Sequence, residues 1–248
     1  MHPPVAGFHQ LQPYTLIQTV RLPKTKFLQP PYRAMLKRIF DIIFSGTALV
    51  LLSPLFFIIS WLIKREDKGP VFYKGERIGL GGRPFRMYKF RTMVVNADKI
   101  GASSTAKDDP RITKIGGFLR KYKLDELPQL INVFRGEMSI VGPRPEVKKF
   151  TDLFSEEEKK ILSVRPGITD WACIWNSDEG ELLAGADDPD KVYMEKIRPT
   201  KIRLQLKYVQ QHDLLVDLRI IYYTLLVIML GDKVKKKIPE LAAIKEKE

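Results

Sequence analysis

Residues Leu36–Arg65 read LKRIFDIIFSGTALVLLSPLFFIISWLIKR, one long apolar segment with basic residues at both ends. Its apolar stretch, from about Ile39 to Ile63, is long enough to cross a bilayer, because about 20 helical residues span the hydrocarbon core. Positive flanking charge prefers the cytoplasmic side, so both ends favour the same side of a membrane. Pro54 lacks a backbone N–H and breaks or bends the helix at about Val50 to Ser53.

This break predicts a re-entrant element. The Ser53 hydroxyl is placed to bond a carbonyl that the proline leaves without a donor, which is how such breaks are tolerated in lipid. We therefore expect a helix, a break at Ser53 and Pro54, and a second helix that leaves by the leaflet through which the first one entered. The alternative is an ordinary spanning helix with a proline kink.

The charge balance indicates an anionic partner. The 248 residues carry 42 Lys or Arg against 29 Asp or Glu, a formal net charge of +13. Lipid headgroups, a phosphorylated substrate and nucleic acid all suit this charge. Between Lys64 and Lys123, directly after the apolar segment, 16 basic residues face six acidic ones. That position favours a membrane surface or a phosphate site over a nucleic-acid patch.

Composition shifts divide the chain into four parts: a flexible arm (1–34), the re-entrant segment (35–65), a main domain (66–200), and a C-terminal amphipathic helix with a basic tail (201–248). In the main domain, PVFYKGERIGLGGRPFRMYKFRTM alternates around three glycines, which predicts a small β-hairpin. Near the C-terminus, DLLVDLRIIYYTLLVIML suits a membrane interface, the protein core or a dimer interface equally well. The expected fold class is α+β, mainly helical.

The block KIGGFLRKYKLDELPQLINVFRGEMSIVGPRPE holds the candidate chemistry. Its leucines and other apolar residues recur at helical spacing, which puts Asp125 and Glu126 in the first turn of a helix that Gly136 ends. Adjacent acids can act as a nucleophile and as a metal ligand or base. Alternatively they only interact favourably with the helix dipole. Cations surround the pair in the sequence, which favours a diphosphate with a divalent metal: Lys89, Arg91, Arg120, Lys123 and Arg144.

Taken in order, these motifs resemble the bacterial sugar transferase family, the monotopic polyprenyl-phosphate phosphoglycosyltransferases. The resemblance rests on KRIFD before the apolar segment with its Ser-Pro pair, then YKFRTM, LDELPQLINVFRGEMSIVGPRPE and RPGIT. It implies that residues 66–200 form a catalytic domain. It also implies transfer of a sugar 1-phosphate from a UDP-sugar to a polyprenyl phosphate, with release of UMP, as the first membrane step of surface glycan synthesis.

The resemblance also implies residue roles. Asp125 would attack the β-phosphorus and carry a covalent phosphosugar, and Glu126 would bind Mg²⁺. Residues expected to contact phosphate or substrate are Lys89, Arg91, Arg120, Arg144 and Arg165. Implied partners are a UDP-sugar, undecaprenyl phosphate and membrane lipids at the cytoplasmic face of the inner membrane, with no nucleic acid; a homodimer is left open.

This chain departs from the family pattern at two places. Lys123 stands where many members have a capping Ser or Thr, and Asp170 stands where many have Gly, so the sugar or nucleotide contacts there are expected to differ. Two other function classes compete with the enzyme. One is a basic peripheral protein that binds membranes or nucleic acid, and the other is an inactive relative that only scaffolds glycan enzymes.

Overall fold

The computed structural model describes residues 31–97, 109–177, 179–239 and 241. Residues 1–30 of the expected N-terminal arm lie outside this part, and the arm's last residues already belong to the first helix, which begins at Pro31 rather than at residue 35. The described helices are α1 (Pro31–Leu51), α2 (Ser53–Asp67), α3 (Lys114–Lys121), α4 (Gln129–Arg135), α5 (Lys148–Thr151), α6 (Trp171–Trp175), α7 (Glu179–Leu182), α8 (Pro189–Val192), α9 (Arg198–Gln211) and α10 (Leu214–Leu230).

Strands and tighter turns are few, which confirms the mainly helical α+β class. The strands are β1 (Phe72–Ile78), β2 (Pro84–Phe90), β3 (Ser139–Val141) and β4 (Gly167–Thr169). Turns of 3₁₀ helix cover Leu80–Gly82, Leu124–Glu126, Glu158–Ser163 and Gly231–Lys237, and a π-helical turn covers Tyr193–Ile197.

The predicted break lies between α1 and α2. The two helices are separated by Leu52 and bent by 61°. The Ser53 hydroxyl donates to the Val50 carbonyl at 2.8 Å, the oxygen that would accept from residue 54 if it were not proline. Within the described residues, only this bent pair, and no single helix, has the length and apolar character needed to cross a membrane. The helix, break and helix are confirmed, and re-entry into one leaflet stays a prediction.

Helix α1 is fixed to the main domain by buried polar contacts. Lys37 forms an ion pair with Asp217 at 2.5 Å and also donates to the Val141 carbonyl at 2.9 Å. The buried Asp41 carboxylate accepts from the hydroxyl of Ser139 at 3.0 Å. Because buried charges are stable only when they are paired, these contacts set where α1 lies against the strand β3.

The predicted β-hairpin is confirmed. Strands β1 and β2 are antiparallel, with Phe72 opposite Phe90 and Ile78 opposite Pro84. Gly81 and Gly82 in the connecting turn have φ of 65° and 76°, a backbone region that glycine enters without steric cost. The hairpin brings the end of β2, with Lys89, to the centre of the domain.

The second sheet places the loop after β3. Strands β3 and β4 are parallel, and Ser139 lies opposite Gly167. A Cβ on Gly167 would lie 2.0 Å from the backbone nitrogen of Gly142, so the two backbones approach more closely than any side chain would allow. The loop that begins at Gly142 is therefore held firmly beside β4.

Helix α10 presents two apolar faces. One face packs into the main core through Ile220 and Val227. The opposite face is exposed, with exposed fractions of 76% at Leu215 and 77% at Met229. The segment is therefore not purely a core helix, and the interfacial and dimer alternatives both stay open.

Candidate active site

Asp125 and Glu126 do not lie in the first turn of an α-helix. They belong to the 3₁₀ turn Leu124–Glu126, and α4 begins only at Gln129. The reason is Pro128, which has no N–H and cannot continue a hydrogen-bonded ladder through the turn. With seven residues, α4 offers little dipole to the acids, so their ionisation depends on nearby side chains.

The acidic turn is fixed between rigid elements. Before it, Lys123 adopts a left-handed conformation with φ of 56°, and its side chain makes no capping hydrogen bond. After it, Asn132 on α4 accepts from the Tyr88 backbone N–H at 2.9 Å and donates to the Arg86 carbonyl at 2.8 Å. Asn132 thus joins α4 to β2, the strand that carries Lys89.

Glu126 is held by two cations. Its carboxylate pairs with the Lys89 ammonium at 2.7 Å and with the Arg144 guanidinium, which donates to both carboxylate oxygens. Burial alone would raise the pKa of Glu126, but the charges and hydrogen bonds of Arg144 and Lys89 outweigh it and hold the pKa well below its usual range. Glu126 is therefore ionised and charge-compensated at neutral pH.

Asp125 has the opposite environment. Its exposed fraction is 7%, and it forms no hydrogen bond or ion pair with any residue that the structure describes. Burial raises the pKa of Asp125, with a further rise from Glu126, while the charges of Lys89, Arg120 and Arg144 act in the opposite direction. The surrounding cations can hold a negatively charged electrophile, such as a phosphate group, beside this carboxylate. Because the carboxylate is desolvated and does not pair with those cations, it is suited to attack that electrophile.

Arg120 approaches Asp125 from α3. Its Nε donates to the hydroxyl of Thr92 at 2.9 Å. The start of α3 packs directly on the same residue, because a Cβ on Gly116 would lie 2.0 Å from the Thr92 carbonyl oxygen. Thr113 also donates its backbone N–H to that carbonyl at 3.0 Å. Thr92 therefore positions both the helix and the guanidinium that it carries.

Arg144 reaches Glu126 from the loop after β3. Its backbone N–H donates to a carboxylate oxygen of Asp170 at 3.2 Å, and its carbonyl accepts from the Gln205 amide at 3.3 Å. Asp170 has an exposed fraction of 0%, so it is not a surface contact for a sugar or nucleotide. The site thus combines five sequence-predicted residues from four parts of the chain: Lys89, Arg120, the adjacent pair Asp125 and Glu126, and Arg144.

The family profile described as Bacterial sugar transferase matches residues 32–231. The chain belongs to the bacterial sugar transferase family. The profile covers α1 through α10, including every residue of the site described above, and this confirms the resemblance drawn from the motifs.

Characterised relatives in the family act on undecaprenyl phosphate or serve exopolysaccharide production. The exopolysaccharide production protein ExoY of Sinorhizobium fredii (strain NBRC 101917 / NGR234) is 37% identical over 210 residues, which is 79% of this chain and 86% of that protein. A UDP-N-acetylgalactosamine-undecaprenyl-phosphate N-acetylgalactosaminephosphotransferase of Aeromonas hydrophila is 37% identical over 209 residues, 82% of this chain and 46% of the relative.

Another relative uses a different sugar. The UDP-glucose:undecaprenyl-phosphate glucose-1-phosphate transferase of Escherichia coli (strain K12) is 38% identical over 194 residues, 77% of this chain but 39% of that protein. The chain therefore spans less than half the length of the Aeromonas and Escherichia relatives. Because these relatives name different sugars, membership of the family does not identify the donor.

Two arginines carried over from the family motifs lie elsewhere. Arg91 forms a two-pronged ion pair with Asp67 at the end of α2, and it also donates to the Pro70 carbonyl at 2.6 Å. Arg165 donates to the Gly136 carbonyl at 3.0 Å, at the opposite end of α4 from the acids. Neither contacts the acid pair, so their predicted role in phosphate binding has no geometric support here.

The described residues alone do not form a complete metal site. No group of three or more His, Cys, Asp or Glu that would hold an ion occurs within the described residues. Both Glu126 oxygens are engaged by Lys89 and Arg144. Mg²⁺ commonly takes one or two carboxylates, several waters and substrate phosphates, and Glu126 is the residue of this site that could supply a carboxylate.

Sequence reasoning missed three residues that shape the site. Thr92, Asn132 and Asp170 were not among the predicted site residues, although each holds a cation or the acidic turn in place. Thr92 and Asn132 do lie inside motifs that carried the resemblance. Asp170 was noted only as a departure, and no sequence signal connected it to Arg144.

Proposed function

We propose that this chain is a phosphoglycosyltransferase that moves a sugar 1-phosphate from a UDP-sugar to undecaprenyl phosphate and releases UMP. The observation that carries the proposal is the buried Asp125 carboxylate, which has no hydrogen-bond or ion-pair partner among the described residues. It lies beside Glu126, whose charge is balanced by Lys89 and Arg144. The names of the family relatives support the same acceptor and the same class of donor. Such a reaction begins surface glycan assembly.

The first step uses Asp125 as the nucleophile. One carboxylate oxygen bonds to the β-phosphorus of the UDP-sugar while the bond from that phosphorus to the bridging oxygen breaks, and UMP leaves with the electron pair. The positively charged groups of Lys89, Arg120 and Arg144 stabilise the negative charge that develops on the phosphoryl oxygens. Glu126 would hold Mg²⁺, which would supply positive charge that offsets the diphosphate and the leaving UMP.

The second step regenerates the carboxylate. A phosphate oxygen of undecaprenyl phosphate attacks the same phosphorus, and the bond to Asp125 breaks to leave a polyprenyl diphosphate sugar.

Burial of Asp125 favours both steps. It disfavours the ionised form, so the desolvated carboxylate is a more reactive nucleophile than one in water. The same burial limits the access of water, which would otherwise hydrolyse the intermediate.

The lipid acceptor requires that the site lie at headgroup height. We infer that α1 and α2 form a re-entrant, monotopic anchor at the cytoplasmic face of the inner membrane. The apolar side chains near the break support this inference, since the exposed fractions of Val50 and Phe57 are 73% and 76%. Lys64 and Arg65 in the last turn of α2 suit contact with lipid phosphates.

The test is UMP release from a panel of UDP-sugars. Purified protein in detergent is incubated with Mg²⁺ and undecaprenyl phosphate, beside Asp125→Asn and the surface control Asp152→Asn, whose exposed carboxylate pairs with Lys148. We expect lipid-dependent UMP from at least one donor, a loss of about 10³-fold or more in Asp125→Asn, and no change in the control. Near-wild-type activity in Asp125→Asn would exclude it as the nucleophile.

Omitting the lipid isolates the first step. Mass spectrometry of wild-type protein incubated with the UDP-sugar and Mg²⁺ should find a phosphosugar on the peptide that contains Asp125. If no adduct and no UMP appear without lipid, while the complete assay releases UMP, the sugar phosphate would instead pass directly from donor to lipid.

A further inference from the structure

Asp170 is a buried acid with no part in the chemistry proposed above. Its side chain is fully buried, and one oxygen accepts from the Cys173 backbone N–H at 2.6 Å, which caps α6. The other oxygen accepts from the Arg144 backbone N–H at 3.2 Å. One carboxylate therefore joins the start of α6 to the residue whose guanidinium holds Glu126.

The backbone of Arg144 is held from both sides. Asp170 accepts from its N–H, and the Gln205 amide on α9 donates to its carbonyl at 3.3 Å. The same Gln205 nitrogen lies 3.4 Å from Asp170, at the long end of hydrogen-bond distances. Arg144 also lies between two prolines, Pro143 and Pro145, whose rings further restrict the chain. A backbone this constrained fixes where the side chain starts.

We propose that Asp170 is a positioning residue that aims Arg144 at the acid pair and, on the proposed function, at the donor diphosphate. The guanidinium must meet phosphate oxygens within a few tenths of an ångström to form paired hydrogen bonds. A shift of the Arg144 backbone would misplace those bonds. Asp170 therefore acts on donor binding through Arg144 and does not itself touch the substrate.

The competing explanation is that Asp170 only caps α6. Asp→Asn separates the two roles, because asparagine is as good an N-cap as aspartate. A carboxylate accepts from both Cys173 and Arg144, whereas a carboxamide has one acceptor oxygen and an NH₂ group. In Asp170→Asn, the single amide oxygen would keep the shorter hydrogen bond from the Cys173 N–H. The amide NH₂ would then face the Arg144 N–H, and because both groups are donors, that hydrogen bond would be lost.

Asp188 supplies a matched control. Its carboxylate caps α8 by accepting from the Lys191 backbone N–H at 3.1 Å, and it does not contact the site. Asp188→Asn therefore makes the same chemical change at another helix start.

Gln205→Met supplies a second test variant, since it removes the donor to the Arg144 carbonyl and leaves the α6 cap intact.

The experiment measures UMP release against the concentration of the UDP-sugar that wild-type protein uses best, with Mg²⁺ and saturating undecaprenyl phosphate. We expect the KM for donor to rise about tenfold in Asp170→Asn and in Gln205→Met, with kcat changed less than about twofold. Asp188→Asn should match wild type. The double variant should raise KM by less than the product of the single effects, because both residues hold one arginine.

The outcomes separate this inference from the proposed function. Wild-type protein that releases no UMP with any donor would overturn the proposed function itself. Active wild-type protein whose Asp170→Asn and Gln205→Met variants keep the wild-type KM would overturn only the positioning role. If Asp170→Asn does not fold, as judged by its melting curve, Gln205→Met alone decides between these results.

Discussion

At the scale of single residues, the two adjacent acids differ in their partners. Glu126 has two cations within hydrogen-bonding distance, whereas the Asp125 carboxylate is buried and pairs with no residue in the part of the chain that the structure describes. Burial raises the pKa of Asp125, whereas Arg144 and Lys89 overcome burial at Glu126 and lower its pKa. Carboxyl groups whose environments move their pKa values apart commonly take different chemical roles.

Asp125→Asn should stabilise the folded protein while it abolishes transfer. Because its pKa is raised on folding, the ionised Asp125 costs folding free energy at pH 7, and neutral asparagine removes that cost. We expect a higher melting temperature for Asp125→Asn at pH 7. The difference should shrink as the pH falls through the raised pKa and vanish below about pH 3.9, the ordinary value, where the folded and unfolded states are both protonated.

Thermal melts of wild type, Asp125→Asn and Asp152→Asn at neutral and acidic pH would measure this effect. Asp152 is exposed, so its variant should melt with wild type throughout. A lower melting temperature for Asp125→Asn at pH 7 would mean that the surrounding cations outweigh burial.

Thr92→Val should weaken catalysis through Arg120. The valine keeps the shape of threonine but removes the hydroxyl that accepts from Arg120 Nε at 2.9 Å. A hydrogen bond of this kind contributes about 1 kcal/mol, so kcat/KM for UMP release should fall about fivefold. Thr92→Ser keeps the hydroxyl and should retain activity. Equal activity in both variants would show that α3 alone positions Arg120.

At the scale of elements, the break between α1 and α2 is the basis of the proposed re-entrant anchor. The Ser53 hydroxyl satisfies the Val50 carbonyl, so the break leaves little polar cost in an apolar environment. At the far end of α2, Glu66 accepts from the Lys114 backbone N–H at 2.9 Å and Asp67 pairs with Arg91. These contacts join the proposed anchor to α3 and β2, the two elements that carry Arg120 and Lys89.

Re-entry predicts that both ends of the helix pair lie on one side of the membrane. Single cysteines at Arg33 and Lys64 should react with an impermeant maleimide from the cytoplasmic side only, in inverted vesicles and not in intact cells. Both positions are exposed, and neither takes part in the Lys37 contacts that hold α1. Labelling from opposite sides would instead show a spanning helix.

The native cysteine needs a control in that experiment. Cys173 lies against Arg144, and burial raises the pKa of its thiol, so it should react slowly. A Cys173→Ala background would confirm that all labelling comes from the introduced positions.

At the scale of the whole molecule, apolar surface and positive charge are combined. The exposed face of α10 adds to the exposed side chains of α1 and α2, and the chain carries a formal charge of +13. Apolar insertion and attraction to anionic lipids together bind peripheral and monotopic proteins more strongly than either does alone.

Vesicle flotation should separate these two contributions. We expect more protein to float with vesicles that contain phosphatidylglycerol than with phosphatidylcholine alone, and added salt should reduce the difference, because it screens surface charge. The bound fraction on neutral vesicles should persist in salt, since apolar insertion is not screened. Leu215→Ser with Met229→Ser should lower binding to both vesicles if α10 contacts lipid, and should leave it unchanged if α10 instead meets a second copy.

The sequence by itself determined the features that depend on local chemistry. The proline without an N–H placed the break to within two residues, and alternation around glycines predicted the hairpin. The acid pair and its flanking motifs identified the family. Each of these follows from covalent geometry, periodicity or a contiguous motif, so no knowledge of distant residues was needed.

Only the tertiary structure decided which residues form the site. Glu126 pairs with Lys89 and Arg144 across sequence separations of 37 and 18 residues, whereas neither cation forms a hydrogen bond or ion pair with Asp125. Arg91 and Arg165 are equally basic in the sequence, but Arg91 forms an ion pair with Asp67 and Arg165 donates to the Gly136 carbonyl. A charge in the sequence does not specify its partner, because ion pairing depends on distances that exist only after the strands and helices have packed.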